Sequence, residues 1–256
     1  MVMAVGVLEA DAYLIADKIK AASHIVVFTG AGISTASGLP DYRGANGIWT
    51  RRSKGLPISR TKQPWFQFEP NEAHFSLARM IHDGIIDFLI SQNVDGLHLK
   101  SGVPESKIAE LHGNSTILQC IYCHSRYHLD DVGWNRAIHG LARRADDPPA
   151  FVPVCLCCGG RLVSTVVDFG DKLPRQALER ARTESIQADL FLVLGSSLMV
   201  SPAASLPKIA KYHGAELVIV NIGPTKRDKL ADRKFEYDLS ILMPKISNIL
   251  EMKVHD

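Results

Sequence analysis

Two cysteine pairs, Cys120-x-x-Cys123 and Cys155-x-x-Cys158, carry the most specific chemistry in the chain. Thiolates spaced in this way on two knuckles supply the four ligands of a tetrahedral zinc ion, each at about 2.3 Å. A redox dithiol needs only one pair and a thioredoxin-like setting, which the sequence lacks. Cys157 lies inside the second pair and stands either as a substitute ligand or as a free thiol. The matching spacing favours Cys155 and Cys158. Four protein thiolates leave no open coordination position, so such a zinc is structural. It would staple a segment with too few apolar residues to fold alone.

A second set of residues suits a phosphate-bearing ligand. Gly30, Ala31 and Gly32 directly follow the apolar run HIVVFT. Glycines there let backbone amides approach a pyrophosphate, and a helix start beyond them adds free N–H groups and a favourable dipole. An isolated GxG serves equally as a tight strand–helix turn. Thr35 stands where a dehydrogenase fingerprint has its third glycine, and no acid about 20 residues further on waits for a ribose. Hydride transfer is therefore not the natural inference. Asp41, Tyr42 and Arg43 follow in the same loop: a turn clamp on the plain reading, or a contact to diphosphate or ribose (Arg43) and a cover for a reactive ring (Tyr42).

Polar groups also gather after other apolar runs. Gln92, Asn93, Asp95 and His98 follow DFLIS, and Glu110-Leu111-His112-Gly113-Asn114 comes soon after. Gly195, Ser196 and Ser197 follow LFLVL, and Asn221 follows LVIV. Ligands of open parallel sheets bind beyond the carboxyl ends of the strands. Four such ends with small or polar residues suit an extended ligand such as a dinucleotide.

The elements that must position these groups are legible from periodicity. Leu8, Ala12, Ile15, Ile19 and Ala22 recur at helical spacing. Buried strands are expected at 24–29, 87–91, 162–168, 190–194 and 217–221. Helices are expected from Pro70 to about Ile81 with Asn71 as N-cap, at about 175–187 and 203–212, and from about Pro244 to Met252. Alternating buried strands and helices imply an α/β fold: a Rossmann-like parallel sheet with helices on both faces. Residues 44–72 and 116–161 break that rhythm. They are expected to form a small inserted module, a helical and loop part plus the zinc part, leaving 1–43, 73–115 and 162–256 to the sheet domain.

Composition narrows the function classes. The 256 residues are 46% hydrophobic, enough for a sizeable core, and 29 basic against 27 acidic residues leave a formal charge of +2. No Lys/Arg run reaches the density of a dedicated nucleic-acid binder, and Arg51, Arg52 and Lys54 read as a solvated loop. No apolar run reaches the roughly 18 residues of a membrane span. The start MVMAVGVLEADAYL has no basic n-region and meets an acid at Glu9, so no secretory signal is expected. An intracellular, cytoplasmic location with reduced thiols follows as the expectation, a nuclear one remaining open.

Taken in order, GAGIST, GLPDYRG, SQNVDGLH, ELHGN, the paired CxxC knuckles, GSSLMVSP and VIVN resemble the sirtuins, the Sir2 family of NAD-dependent protein deacylases, over residues 8–250. GIWT, VVDFGDKLP and PTKRDKLAD further resemble the class IV, nuclear-type sirtuins. The resemblance implies NAD as co-substrate, lying between a Rossmann-type domain and a zinc module that holds one structural zinc ion. Ala31, Thr35, Asp41, Tyr42, Arg43, Trp49 and Gln92 match family positions around nicotinamide, ribose and phosphates. Gly195, Ser196, Ser197, Asn221, Gly223 and Leu239 match positions around the adenosine half, and Asn93 and Asp95 the nicotinamide carboxamide pocket. Tyr42 stands where the family has Phe, so its hydroxyl needs a partner. Gly223 offers only backbone.

By the same resemblance, the acyl-lysine oxygen attacks the ribose carbon bearing nicotinamide, and His112 then takes a proton from a ribose hydroxyl, with Asn93 assisting in the pocket. An imidazole suits this because its ordinary pKa is near 6.5. Nicotinamide, free lysine and O-acyl-ADP-ribose are the implied products. The implied partner is an acylated-lysine protein or peptide, adding as a strand between the Val167–Gly170 segment and the 197–201 loop, with Val167, Phe169 and Gly170 around the lysine stem. Residues 50–68 contain no Tyr-x-x-Arg pair of the kind used for acidic acyl groups, which disfavours succinyl. Mono-ADP-ribosyl transfer to protein and a slow NAD- or ADP-ribose-binding sensor are the competing readings.

Overall fold

The structure, a computed structural model, describes residues 2–44, 47–57, 67–143, 152–168 and 170–252. Six parallel strands build its large sheet: β1 (Ile25–Thr29), β2 (Phe88–Ser91), β3 (Ile108–Glu110), β7 (Leu190–Leu194), β8 (Glu216–Val220) and β9 (Arg233–Phe235). Their order is β3-β2-β1-β7-β8-β9, so the chain works outward from β1 on one side and then restarts at β7 on the other. That reversal is the switch point of a Rossmann-like sheet. A separate antiparallel sheet of order β5-β4-β6 joins β4 (Ile117–Cys120), β5 (Arg126–His128) and β6 (Leu162–Ser164).

Strand alternation divides the core in two. Val27, Leu89, Leu192 and Val218 are in register and face one side, packing under α1 (Val2–Ala21), α3 (Glu72–His82) and α8 (Leu239–Glu251). Phe28, Ile90, Val193 and Ile219 form the next row on the other face, beneath α6 (Arg175–Gln187) and α7 (Leu206–Tyr212). Burying each such side chain stabilises the fold by about 1.5–3 kcal/mol. The small sheet has a modest core of its own, chiefly Leu118, Leu129, Trp134 and Leu162.

Several elements differ from the expectation. The strand expected at 162–168 ends at Ser164 and pairs with β4 in the small sheet, because Thr165 turns the chain by bonding Ile117 O and Asn114 O through its amide and hydroxyl. β3 and β9 are too short, at three residues each, to show a period. α8 begins five residues before Pro244, capped by Asp238, whose carboxylate accepts from Ser240 N at 2.8 Å; Pro244 lies inside the helix. The turn after Gly30 is a seven-residue 3-10 segment, Ala31–Ser37, rather than an α-helix start.

Asn71 caps α3 as expected, its Oδ1 accepting from Ala73 N at 2.9 Å. Its Nδ2 reaches the 3-10 segment, donating to Ile33 O at 2.8 Å and Ser37 Oγ at 3.0 Å. One side chain thus starts a helix and pins the glycine loop. Asn71→Ala is expected to cost about 1–2 kcal/mol in urea denaturation, with the larger value if both loop bonds contribute; an unchanged midpoint would remove Asn71 from this role.

Candidate active site

Strand register brings the polar groups together before any side chain is considered. Ser91, Thr29, Leu194 and Val220 lie in one row across the large sheet, so Gln92, Gly30, Gly195 and Asn221 emerge side by side at its carboxyl edge. The ladder continues one step through Gln92 N→Thr29 O, Gly30 N→Leu194 O, Gly195 N→Val220 O and Asn221 N→Phe235 O, at 2.9–3.1 Å. Glu110 pairs with Ser91, which carries His112 to the same edge from β3. A cleft of about 1010 Å³ opens there.

Two glycine turns meet backbone to backbone at its floor. Gly32 N donates to Gly195 O at 2.8 Å, and Gly195 adopts φ +65°. A Cβ on Gly30 would sit 2.8 Å from Ser196 Cβ, and one on Gly32 2.7 Å from Gly195 Cα. Only glycine fits such an approach. The glycines therefore serve loop packing as well as ligand access, and the amide of Gly32 is already spent on Gly195.

His112 lines the cleft, and its Nδ1 lies 2.8 Å from Gln92 O. A carbonyl only accepts, so Nδ1 carries the proton and Nε2 is left with a free lone pair. Burial lowers the His112 pKa, partly offset by the bond to Gln92 O, which keeps the ring neutral near pH 7. The Gln92 side chain points the other way, Nε2 donating to Ser196 Oγ at 2.7 Å. Glu110 accepts from Asn114 Nδ2, clamping the His112 turn, and burial pushes its carboxyl up to about 7.

At one end of the cleft, buried polar groups converge. Asp95 Oδ2 accepts from Ser34 Oγ at 2.7 Å and Oδ1 from Leu97 N at 3.0 Å, and burial raises its pKa. Asn93 Nδ2 donates to Ser34 Oγ at 3.2 Å and Gly30 O at 3.3 Å. Ser34, 1% exposed, was not singled out from the sequence although it lies within GAGIST. His74 stands behind it and carried no sequence signal at all beyond its helix.

Ala31, Thr35, Asp41, Tyr42, Arg43 and Trp49 line the cleft as well. Asp41 accepts from Gly44 N through Oδ2, and Tyr42 O accepts from Trp49 N at 2.8 Å, folding the loop against α2 (Ile48–Ser53). Tyr42 is held neutral by burial and the nearby Asp95 charge. Ser197, Asn221, Gly223 and Leu239 also line the cleft, as do Tyr237 and Asp238, which were not expected from sequence. Val167 and Gly170 line the remaining side, and Val167 N donates to His112 O at 2.9 Å; Phe169 lies outside the described residues. His98 is not in the cleft: it is buried behind it, bonded to Thr29 Oγ1 at 2.9 Å.

The sulfurs of Cys120, Cys123, Cys155 and Cys158 lie within 4.8 Å of one another. Cys120–Cys158 and Cys123–Cys155 are 3.5 and 3.4 Å apart, near the roughly 3.8 Å that four bonds of about 2.3 Å to one tetrahedral ion impose. All are free thiols in this chain, none in a disulfide. Tyr127 hydroxyl sits 3.3 Å from Cys155 Sγ, an outer partner of the kind that tunes a metal's ligands. The donor set fits zinc. Cys157 is exposed and outside the group, its amide donating to Tyr127 hydroxyl.

Comparison with known proteins places this geometry in context. The sequence model described as the Sir2 family matches residues 30–63 and 56–202. An NAD-dependent protein deacetylase of Thermotoga maritima is 38% identical over 229 residues, covering 84% of this chain and 88% of that protein. NAD-dependent protein deacetylase SRT1 of Arabidopsis thaliana is 37% identical over 240 residues, covering 94% of this chain and 49% of that one. The chain thus spans about half the length of the plant relatives it matches. Among solved structures, Sir2 with a p53 peptide and NAD+ superposes with TM-score 0.70 at 34% identity, covering 93% of this chain and 97% of the other.

Removal of the metal tests the cysteine cluster. A strong chelator is expected to release one zinc per chain and to abolish the near-ultraviolet signal of Trp134, which packs in the small sheet's core. Cys157→Ser should leave the stoichiometry at one. Release of no metal, or its loss on Cys157→Ser alone, would redirect the ligand assignment.

Proposed function

Because the chain belongs to the Sir2 family, we propose that it is an NAD-dependent protein-lysine deacylase that converts an acylated lysine and NAD to free lysine, nicotinamide and O-acyl-ADP-ribose. One observation carries this reading: the His112 ring, tied through Nδ1 to Gln92 O, keeps an unprotonated Nε2 at the cleft where the carboxyl ends of the sheet converge. NAD supplies the scissile nicotinamide–ribose bond and the sugar hydroxyl that accepts the acyl group.

The roles assigned by resemblance are supported by the residues that line the cleft. We assign the nicotinamide carboxamide to Asn93 and Asp95, both of which line the cleft. Gly30, Ala31, Gly32, Thr35, Asp41, Tyr42, Arg43, Trp49 and Gln92 would hold the ribose and phosphates, and Gly195, Ser196, Ser197, Asn221, Gly223 and Leu239 the adenosine. His112 would act as general base, since a neutral imidazole with a free Nε2 can take a hydroxyl proton and later release it. The acyl-lysine peptide would lie along Val167–Gly170. Residues 1–43, 73–115 and 162–256 are assigned to nucleotide binding, with 44–72 and 116–161 as the module beside it and the short β6 strand shared with that module's sheet. One zinc ion bound by Cys120, Cys123, Cys155 and Cys158 would brace the module.

We further place the chain with class IV, nuclear-type sirtuins on the stretches GIWT, VVDFGDKLP and PTKRDKLAD. Trp49 of GIWT and Asp168 of VVDFGDKLP both border the cleft, which supports a contribution to acyl selection. An intracellular setting, whether cytoplasmic or nuclear, suits a cluster of four reduced thiols.

Incubation with NAD and acetyl-, myristoyl- or succinyl-lysine peptides tests the reading by mass spectrometry. Wild type is expected to form O-acyl-ADP-ribose and to disfavour succinyl, while His112→Ala still binds NAD but forms product about 100-fold more slowly or worse. ADP-ribosylated protein in place of O-acyl-ADP-ribose would favour the transferase reading, and equal rates from the two proteins would end the role of His112. The pH profile gives an independent check. Burial lowers the His112 pKa from 6.5, so kcat/KM should be flat above that value and fall only at lower pH; an acid limb centred above 6.5 contradicts a buried, neutral base.

A further inference from the structure

Resting on the reading of Val167–Gly170 and the 197–201 loop as the two edges that take the acylated peptide, we propose that Arg227 is a positioning residue for that peptide: with Lys226 it clasps the loop at both ends, and Thr225 and Asp228 hold the clasp in place.

The loop has the features of a strand edge open to a partner. Met199, Val200, Ser201 and Pro202 line the cleft, and among the described residues the main chain of Met199 and of Ser201 makes no hydrogen bond. Unpaired main chain bordering a cleft is what an extended peptide requires in order to add as a strand. The loop is also held away from its relaxed shape. Leu198 adopts φ +53° with its side chain buried, a conformation that a residue other than glycine keeps only where its surroundings impose it.

The constraint comes from the stretch PTKRDKLAD, which follows β8. Lys226 N donates to Ser197 O at 3.0 Å at the start of the loop, and Arg227 Nε donates to Ala204 O at 3.3 Å just beyond its end. Two adjacent residues thus fix both ends of one loop, which they can do only while their own turn is rigid. Thr225 Oγ1 donates to Asp228 Oδ1 at 2.6 Å and accepts from Arg227 N at 3.1 Å. Asp228 Oδ2 accepts from Thr225 N at 3.1 Å and from Lys234 Nζ, on β9, at 3.0 Å. Burial opposes the Asp228 charge, yet these donors hold its carboxyl below the ordinary value, so it stays ionised near neutrality. The contacts therefore run unbroken from the large sheet to the peptide edge.

Release of the far end lets the loop relax about Leu198, and binding must then recover the productive shape. A loop competent for about one tenth of the time weakens apparent affinity about tenfold. Gly195 and Ser196 precede the clasped stretch and keep their own bonds, Gly195 N to Val220 O and Ser196 Oγ to Gln92 Nε2, so the nucleotide end is spared.

Anisotropy of a fluorescent acetyl-lysine peptide, read beside calorimetric binding of ADP-ribose, separates this role from general support of the fold. Arg227→Ala should weaken peptide binding about tenfold while ADP-ribose affinity stays within about twofold. Its kcat at saturating peptide should also stay within about twofold, because the lost contact acts on binding and not on the reacting atoms. Thr225→Val removes the hydroxyl at nearly constant shape and should weaken the peptide by about threefold or more, whereas Thr225→Ser keeps the hydroxyl and should stay within about twofold of wild type. Thr225→Val also carries the test if Arg227→Ala fails to fold. Unchanged peptide affinity in folded Arg227→Ala or in Thr225→Val overturns the proposal, as does an equal loss of ADP-ribose affinity or an equal defect in Thr225→Ser. A wild type that binds no acetyl-lysine peptide overturns the reading of the cleft instead.

Discussion

The architecture depends on two backbones lying closer than side chains allow. Where Gly30 and Gly32 meet Gly195, the carboxyl ends of β1 and β7 are in van der Waals contact through main chain alone. These are the two strands between which the strand order reverses. Their contact lets the groups that follow β2, β3 and β8 open onto one space instead of two. Any Cβ at these positions would wedge the halves of the sheet apart. The glycines thus serve assembly first, and whatever ligand access they give follows from it.

Within the cleft, the polar groups are organised by polarity more than by charge. His112 is neutral with one nitrogen committed to a carbonyl, and Asp95 is a buried carboxyl whose pKa burial raises, partly offset by the donors Leu97 N and Ser34 Oγ. The cleft lining therefore offers a lone pair on nitrogen and lone pairs on oxygen. Such an interior favours a ligand rich in hydroxyl and amide hydrogens. Gln92 sits between the two, its carbonyl serving His112 and its amide serving Ser196.

The parallel strands were legible because runs such as IVVFT and LFLVL are apolar on both faces, and the polar residues just beyond them marked the ligand edge. Asn71 was legible as a cap because its chemistry is local. The three-residue strands Ile108–Glu110 and Arg233–Phe235 were not, since they owe their conformation to neighbours in the sheet and not to their own pattern. VVD, at the end of the expected strand 162–168, has strong β propensity, yet Thr165 diverts the chain through tertiary bonds that no window of sequence contains. His74 was hidden for the same reason: on paper it is one polar residue on a helix, and its meaning comes from Ser34, forty residues away.

The small sheet joins the large one through two stretches of chain that touch each other beside His112. Gly113 admits no Cβ because Thr165 O occupies that place, Asn114 N bonds Thr165 Oγ1, and Val167 N bonds His112 O. These crossings tie the residues on either side of the imidazole to the segment that leaves the small sheet. The main chain on both sides of His112 is thus held by the same contacts that join the two sheets, so the place of the ring and the seating of the small sheet are set together.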